Sequence, residues 1–251
     1  MRGPGERFPS PLPVKHPLQQ AEFLISAARD EQLPPSGAPE VAFAGRSNAG
    51  KSSAINALAN RSRLAFTSKT PGRTQQINLF RLRSGALLAD LPGYGYARVP
   101  QDLKQHWQAF LARYVATRQA LVGLALVVDA RHGLAALDLE LLAGFLPSGR
   151  PVLILATKMD KLTSSAQRRA QRDIEHSVAE VFPAQARQVT VVPFSATRRI
   201  GIEAAEAIIG EWLGPDDPTA RAHDGMPRAE RTHKEKAPRT RGVSRGQKRP
   251  P

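Results

Sequence analysis

Apolar runs without polar alternation recur through the middle of this chain, at 41–44 (in a strand over 40–44), 121–128, 152–156 and 189–194. Continuous runs of four to eight such residues predict parallel strands buried on both faces. Between and after them, apolar residues return every three or four positions, which predicts helices at 51–60, 101–119, 135–145, 165–181 and 201–212. In the second of these, Leu103, Trp107, Phe110, Leu111 and Tyr114 share one stripe, the mark of a face turned to a core. Two shorter runs, 77–83 and 86–90, flank Ser84-Gly85 and predict a hairpin with a two-residue turn. Ahead of the first strand, 20–28 reads as a short helix broken by Pro34-Pro35, and the polar stretch 61–76 as a mobile loop.

The two ends of the chain lack this periodicity. Residues 1–19 are proline-rich and predict an irregular arm. From Pro215 onward Pro, Gly, Arg and Lys dominate, which predicts a disordered basic tail over 215–251. One domain over 20–214 remains, a normal size for a single core at 41% hydrophobic content. Within it, one hairpin inserted in a βα alternation predicts an α/β three-layer sandwich. Its sheet is six-stranded and mostly parallel, with one antiparallel strand at 77–83 and helices on both faces.

Composition narrows the chemistry. There is no cysteine, so disulfides, thiolate nucleophiles and cysteine-ligated metals are excluded. The longest apolar stretch, 120–128, is far shorter than the ~20 residues of a membrane span. The first residues carry no secretory apolar core. A cytoplasmic protein without a membrane partner is expected. The net charge is +14, of which the arm holds +2, the domain +7 and the tail +5. A basic excess spread over domain and tail favours a polyanionic partner, most simply RNA.

The candidate chemistry lies where the apolar runs end. Gly45-Arg46-Ser47-Asn48-Ala49-Gly50-Lys51-Ser52 follows the first strand and opens the first helix. This is the G-x-x-x-x-G-K-[ST] loop, whose backbone N–H groups cradle phosphates. Lys51 is placed to reach the β- and γ-phosphates, and the Ser52 hydroxyl to ligate Mg²⁺. Asp90-Leu91-Pro92-Gly93 ends the 86–90 strand. Asp90 suits the carboxylate that holds Mg²⁺ through water, and the Gly93 N–H suits the γ-phosphate. Thr157-Lys158-Met159-Asp160 ends the 152–156 strand. A carboxylate there accepts from the two donors of guanine, N1–H and the N2 amine, whereas adenine would leave the charge unpaired. Phe194-Ser195-Ala196 ends the last strand, where the Ala196 N–H can meet guanine O6. Ligands of open α/β sheets bind along this edge. Together the four motifs predict a P-loop NTPase of small-GTPase plan that binds GTP and GDP. A P-loop kinase of small metabolites fits Asp160 and the Ser195-Ala196 turn less well.

Several of these segments carry a family resemblance. The P-loop, Thr67-Ser68-Lys69-Thr70-Pro71-Gly72-Arg73-Thr74-Gln75-Gln76, Asp90-Leu91-Pro92-Gly93-Tyr94-Gly95-Tyr96-Ala97 and Thr157-Lys158-x-Asp160 resemble the EngB (YihA/YsxC) family of bacterial GTPases over roughly 17–213. The resemblance implies a Mg²⁺-dependent GTPase acting in assembly of the large ribosomal subunit, through its rRNA and proteins, and needed for cell division and septation. It also implies that Gly72, Arg73, Thr74, Gln75 and Gln76 form the first switch, with Thr74 the second Mg²⁺ ligand. Chemistry alone allows Thr70 in that role equally. A monomer in solution is expected.

Tyr94 stands where Ras-like enzymes place the glutamine that orients the attacking water. A phenol cannot take over that task in the same place, so hydrolysis is expected to be slow until something completes the site. One candidate is a group from the ribosomal partner. Another is a monovalent cation, K⁺ by resemblance, held by Asn48. Two readings follow. In one the chain is a GTPase whose turnover releases it from a ribosomal precursor. In the other it is an rRNA-binding assembly module that uses GTP mainly as a conformational ligand.

Overall fold

The computed structural model describes residues 18–65, 76–95 and 101–215, and gives the helix at 101–108 by its backbone alone. The described chain folds as seven strands and five α-helices: β1 (Glu22–Ala27), β2 (Glu40–Gly45), α1 (Lys51–Leu58), β3 (Ile77–Arg81), β4 (Leu87–Asp90), α2 (Gln101–Thr117), β5 (Leu121–Asp129), α3 (Ala136–Phe145), β6 (Val152–Thr157), α4 (Ser164–Val181), β7 (Val189–Pro193) and α5 (Ile202–Leu213). The strands form one sheet in the order β1-β3-β4-β2-β5-β6-β7. Pairing is parallel from β4 through β2, β5 and β6 to β7, and antiparallel for β3 with both β4 and β1. The α/β sandwich expected from the pattern is therefore present, with one strand more than expected.

That extra strand is the segment read as a helix over 20–28. Glu22–Ala27 instead pairs antiparallel with Ile77–Arg81, with a register shift between Phe23 and Ile25. Helical propensity is a weak prior, and here β3 offers an open row of backbone donors and acceptors. The pairing is sealed by Phe23 edge-on to Phe80, at 6.2 Å between centroids, and by a Ser26–Asn78 hydrogen bond of 2.6 Å. Leu18, just before it, is wholly buried.

The hairpin also differs in detail. Leu82 N–H bonds the Ala86 carbonyl at 2.8 Å and Gly85 N–H bonds the Leu82 carbonyl at 3.0 Å. The loop is thus three residues, Arg83-Ser84-Gly85, rather than two. Gly85 takes φ 90°, the left-handed position that such loops give to glycine.

Each central strand contributes to both cores, as unbroken apolar runs require. Val41 and Phe43 of β2, with Ala125 and Val127 of β5, face α1 and α5. Ala42 and Ala44, with Leu124, Leu126 and Val128, face α2, α3 and α4. The α2 stripe is observed at Phe110, Leu111 and Tyr114, all buried; the Leu103 and Trp107 side chains lie outside the described residues. The first residues of the expected mobile loop are tied down. Asn56 Oδ1 accepts from the Leu64 and Ala65 N–H groups, and Asn56 Nδ2 donates to the Ala65 carbonyl. The remainder, 66–75, lies outside the described residues, as do the arm over 1–17 and the tail over 216–251.

The parallel order fixes where the site is. β2, β4, β5 and β6 end at one edge of the sheet in Gly45, Asp90, Asp129 and Thr157, and β7 leads there into Phe194-Ser195.

Candidate functional site

The phosphate end is built around the turn from β2 to α1. Gly45 runs against β5 so closely that a Cβ there would lie 2.5 Å from the Val127 carbonyl oxygen. Gly50 precedes α1 at φ 104°, and Asn48 takes φ 65°, a conformation asparagine tolerates better than most residues. These two left-handed residues curl the loop. The loop is stapled to the Asp90-Leu91-Pro92-Gly93 turn. Leu91 N–H bonds the Phe43 carbonyl at 2.9 Å, and Ser47 N–H bonds the Tyr94 carbonyl at 2.9 Å. A Cβ on Gly93 would approach Ser47 Oγ to 3.1 Å, so this glycine is packed against the P-loop.

Lys51 and Asp90 form an ion pair across this junction, with side chains only 11% and 6% exposed. A buried pair of this kind holds the ammonium at the mouth of the loop and compensates the carboxylate. Ser52, in the first turn of α1, is buried beside them. Among the described residues no group of three His, Cys, Asp or Glu could hold a metal by itself. A serine hydroxyl and one carboxylate fit Mg²⁺, which keeps several waters and draws its other ligands from phosphates. Of the residues expected in the first switch, only Gln76 is described, and it is exposed; Gly72, Arg73, Thr74 and Gln75 lie outside the described residues.

The Tyr94 side chain reaches across to α3. Its hydroxyl donates to Asp138 Oδ1 at 2.6 Å, while Asp138 Oδ2 accepts from the Ala135 N–H at 2.9 Å at the start of α3. Burial, with the Asp138 charge and hydrogen bond, pushes the phenol far above its ordinary pKa. Burial also raises the Asp138 carboxyl, against the pull of its hydrogen bonds. The phenol is neutral and committed.

The base end is joined to the P-loop from behind. Thr157 Oγ1 lies 2.5 Å from the Ala49 carbonyl and 3.0 Å from that of Val128, so its hydroxyl latches loop to sheet. Lys158 takes φ 61°, and its Nζ donates to the Asn48 carbonyl at 2.6 Å and pairs with Asp129 Oδ2 at 2.9 Å. Asp129 also receives both Arg131 Nε and NH2, at 2.9 and 2.7 Å. Despite partial desolvation, the hydrogen bonds from Arg131 and Lys158 hold the Asp129 carboxyl well below the usual range. Met159 is buried, its N–H bonded to the Phe194 carbonyl at 3.2 Å.

Asp160 is oriented by Ser195, whose hydroxyl donates to Asp160 Oδ1 at 2.6 Å. That bond depresses the Asp160 pKa, with Lys161 3.6 Å away adding to it. Ser195 is itself held by paired backbone bonds with Ile200, at 3.1 and 3.0 Å. The turn back into α5 needs Gly201, at φ 73°, because a Cβ there would lie 2.1 Å from the Pro193 carbonyl oxygen. Ala196 follows Ser195 at the rim. A cavity of about 250 Å³ adjoins this ground, lined by Arg46–Ala49, the end of β5, Arg131–Gly133, Asp138 and Lys158.

The sequence-derived residues outside 72–75 thus share one sheet edge. Two residues were missed. Asp129 gave the same signal as Asp90 and Asp160, a carboxylate ending an apolar strand, and was legible. Asp138 gave none, since its role appears only once Tyr94 is placed over α3.

Known proteins resemble this chain at both levels. The 50S ribosome-binding GTPase family matches residues 40–158. A probable GTP-binding protein EngB from Aromatoleum aromaticum is 48% identical over 201 residues, spanning 80% of this chain and 91% of that one. Among solved structures, a probable GTP-binding protein engB superposes with a TM-score of 0.56 at 23% identity, covering 69% of this chain and 98% of the other. Era, solved in complex with MgGDPNP and a segment of 16S ribosomal RNA, gives 0.55 at 20% identity over 72% of this chain and 58% of its own. At those identities the two structures support the fold alone.

Proposed function

Given that this chain belongs to the EngB family of GTP-binding proteins, and is a GTPase by that membership, we propose that it is a guanine-nucleotide switch serving assembly of the large (50S) ribosomal subunit. The observation that carries the guanine part is Asp160, held by Ser195 at the same sheet edge as the P-loop. The ribosomal part is supported by the matching family's description as 50S ribosome-binding and by a charge of +14. A role in cell division and septation follows from the same family reading. So does a cytoplasmic monomer, and no described helix is long and apolar enough to cross a membrane.

In this reading Lys51 exchanges Asp90 for β- and γ-phosphate oxygens when nucleotide enters, and Asp90 is freed toward the metal waters. Ser52 and Thr74 would hold Mg²⁺, which would neutralise phosphate charge when bound. The Gly93 N–H meets the γ-phosphate. Asn48 offers its side-chain oxygen to K⁺, its carbonyl being already taken by Lys158. Phe194, Ser195 and Ala196 close the far edge of the base. Hydrolysis by the isolated chain is slow because Tyr94 is bound to Asp138 and does not take the place of the Ras-type glutamine.

Co-sedimentation with 50S precursor particles tests the assignment. Binding should be strong with a non-hydrolysable GTP analogue, weak with GDP, and should fall steeply with salt. Equal binding in both nucleotide states would remove the switch, and no binding would remove the ribosomal partner.

A further inference from the structure

We infer that the Ser47 hydroxyl is a catalytic group of this GTPase, orienting the water that attacks the γ-phosphate. The inference rests on the GTPase reading and adds a residue to it. Three features of the phosphate end point to Ser47. Its Oγ is buried with no hydrogen-bond partner among the described residues. A buried hydroxyl without a partner is unfavourable and calls for a reason. The same Oγ stands against Gly93, at 3.1 Å from the position of a Cβ there, beside the N–H assigned to the γ-phosphate. The residue also borders the cavity of about 250 Å³ between the P-loop, the end of β5 and the start of α3, with its Oγ turned in against Gly93 at the edge of that space. That space is polar and large enough to hold water.

The neighbouring candidate is disqualified. Tyr94 follows Gly93 directly, but its hydroxyl is spent on Asp138 at 2.6 Å. Its carbonyl instead holds the Ser47 N–H at 2.9 Å, which fixes the Ser47 backbone at the seam between the two phosphate-binding segments. The Ser47 backbone is therefore fixed, and its hydroxyl has no bond among the described residues to give up.

In the step itself, the water oxygen forms a bond to the γ-phosphorus as the bond from that phosphorus to the β–γ bridging oxygen breaks. The electron pair leaves with the bridging oxygen on GDP, and the water proton passes to an oxygen of the departing phosphate. Ser47 accepts a hydrogen bond from the water and undergoes no net proton change. Its contribution is orientation.

Ser47→Ala and Ser47→Thr in the full chain test this, each assayed for affinity to GDP, to a non-hydrolysable GTP analogue and to GDP with aluminium fluoride, and for single-turnover hydrolysis. Ser47→Ala should keep GDP and analogue affinities within about twofold, which also shows that it folds. Its hydrolysis should slow on the order of 100-fold, with the aluminium fluoride affinity falling in step. Ser47→Thr, which keeps the hydroxyl, should retain most of the rate. Ser47→Ala turning over at the wild-type rate would overturn the inference while leaving the GTPase intact. A loss of analogue affinity as large as the loss of rate would make Ser47 a ground-state phosphate ligand instead. Wild-type protein that binds GTP and never hydrolyses it would end both the GTPase reading and the inference.

Discussion

The two ends of the nucleotide site are finished to different degrees. At the base end every central polar group has its partner. Ser195 holds Asp160, Thr157 holds the P-loop carbonyl of Ala49, and Lys158 spans Asn48 and Asp129. At the phosphate end Lys51 sits on Asp90, Tyr94 on Asp138, and Ser47 Oγ on nothing among the described residues. Under the proposed assignment, the base end would recognise a ligand without rearranging, whereas the phosphate end would exchange partners to take one. Recognition is cheap when its groups are preorganised. A switch, by contrast, needs contacts that differ between its two states.

The largest effect should come from unbalancing the phosphate end. Lys51→Met removes the cation facing Asp90, whose side chain is 6% exposed. Losing one partner of a buried pair costs about 3–5 kcal/mol. Urea unfolding of the nucleotide-free protein should show that loss. Adding Asp90→Asn should recover much of the stability and none of the GTP binding. If Lys51→Met alone leaves the midpoint unchanged, the pair does not hold this end together.

The next effect belongs to the base end. Asp160→Asn turns one acceptor into a donor facing a guanine donor. GTP affinity should fall by about 2–3 kcal/mol, and preference should move toward xanthine nucleotides, whose C2 oxygen can accept from the new amide. Titration giving wild-type GTP affinity in the variant would take Asp160 out of the base site.

A smaller effect sharpens the comparison at the joint between the ends. Thr157→Val keeps the shape and deletes the hydroxyl shared by the Ala49 and Val128 carbonyls. The cost should be about 1 kcal/mol in stability, with a matching loss for GTP and GDP alike, because the latch supports the loop and not the γ-phosphate. A loss confined to GTP would mean that Thr157 belongs to the switching part.

How much of this was legible in the sequence follows the same division. The P-loop, Asp90, Asp160 and Ser195 were legible because each ends an apolar run, and parallel topology brings strand ends together. The strand Glu22–Ala27 was not, because its apolar run, Phe23-Leu24-Ile25, is too short to separate strand from helix, and it takes its conformation from the β3 backbone beside it. The three-residue turn at Arg83-Ser84-Gly85 depends on where Leu82 and Ala86 bond, which composition does not specify. The Tyr94–Asp138 bond joins residues 44 apart through tertiary packing, and no local signal announces it.

On the proposed function, the phosphate end awaits completion by a ribosomal partner. Single-turnover GTP hydrolysis by the full chain, measured alone and with 50S precursor particles at fixed Mg²⁺ and K⁺, tests it most directly. Hydrolysis should be slow alone and markedly accelerated by the particles, with GDP affinity unchanged. Equally fast hydrolysis in both conditions would contradict it, because the site would then be complete with Tyr94 still bound to Asp138.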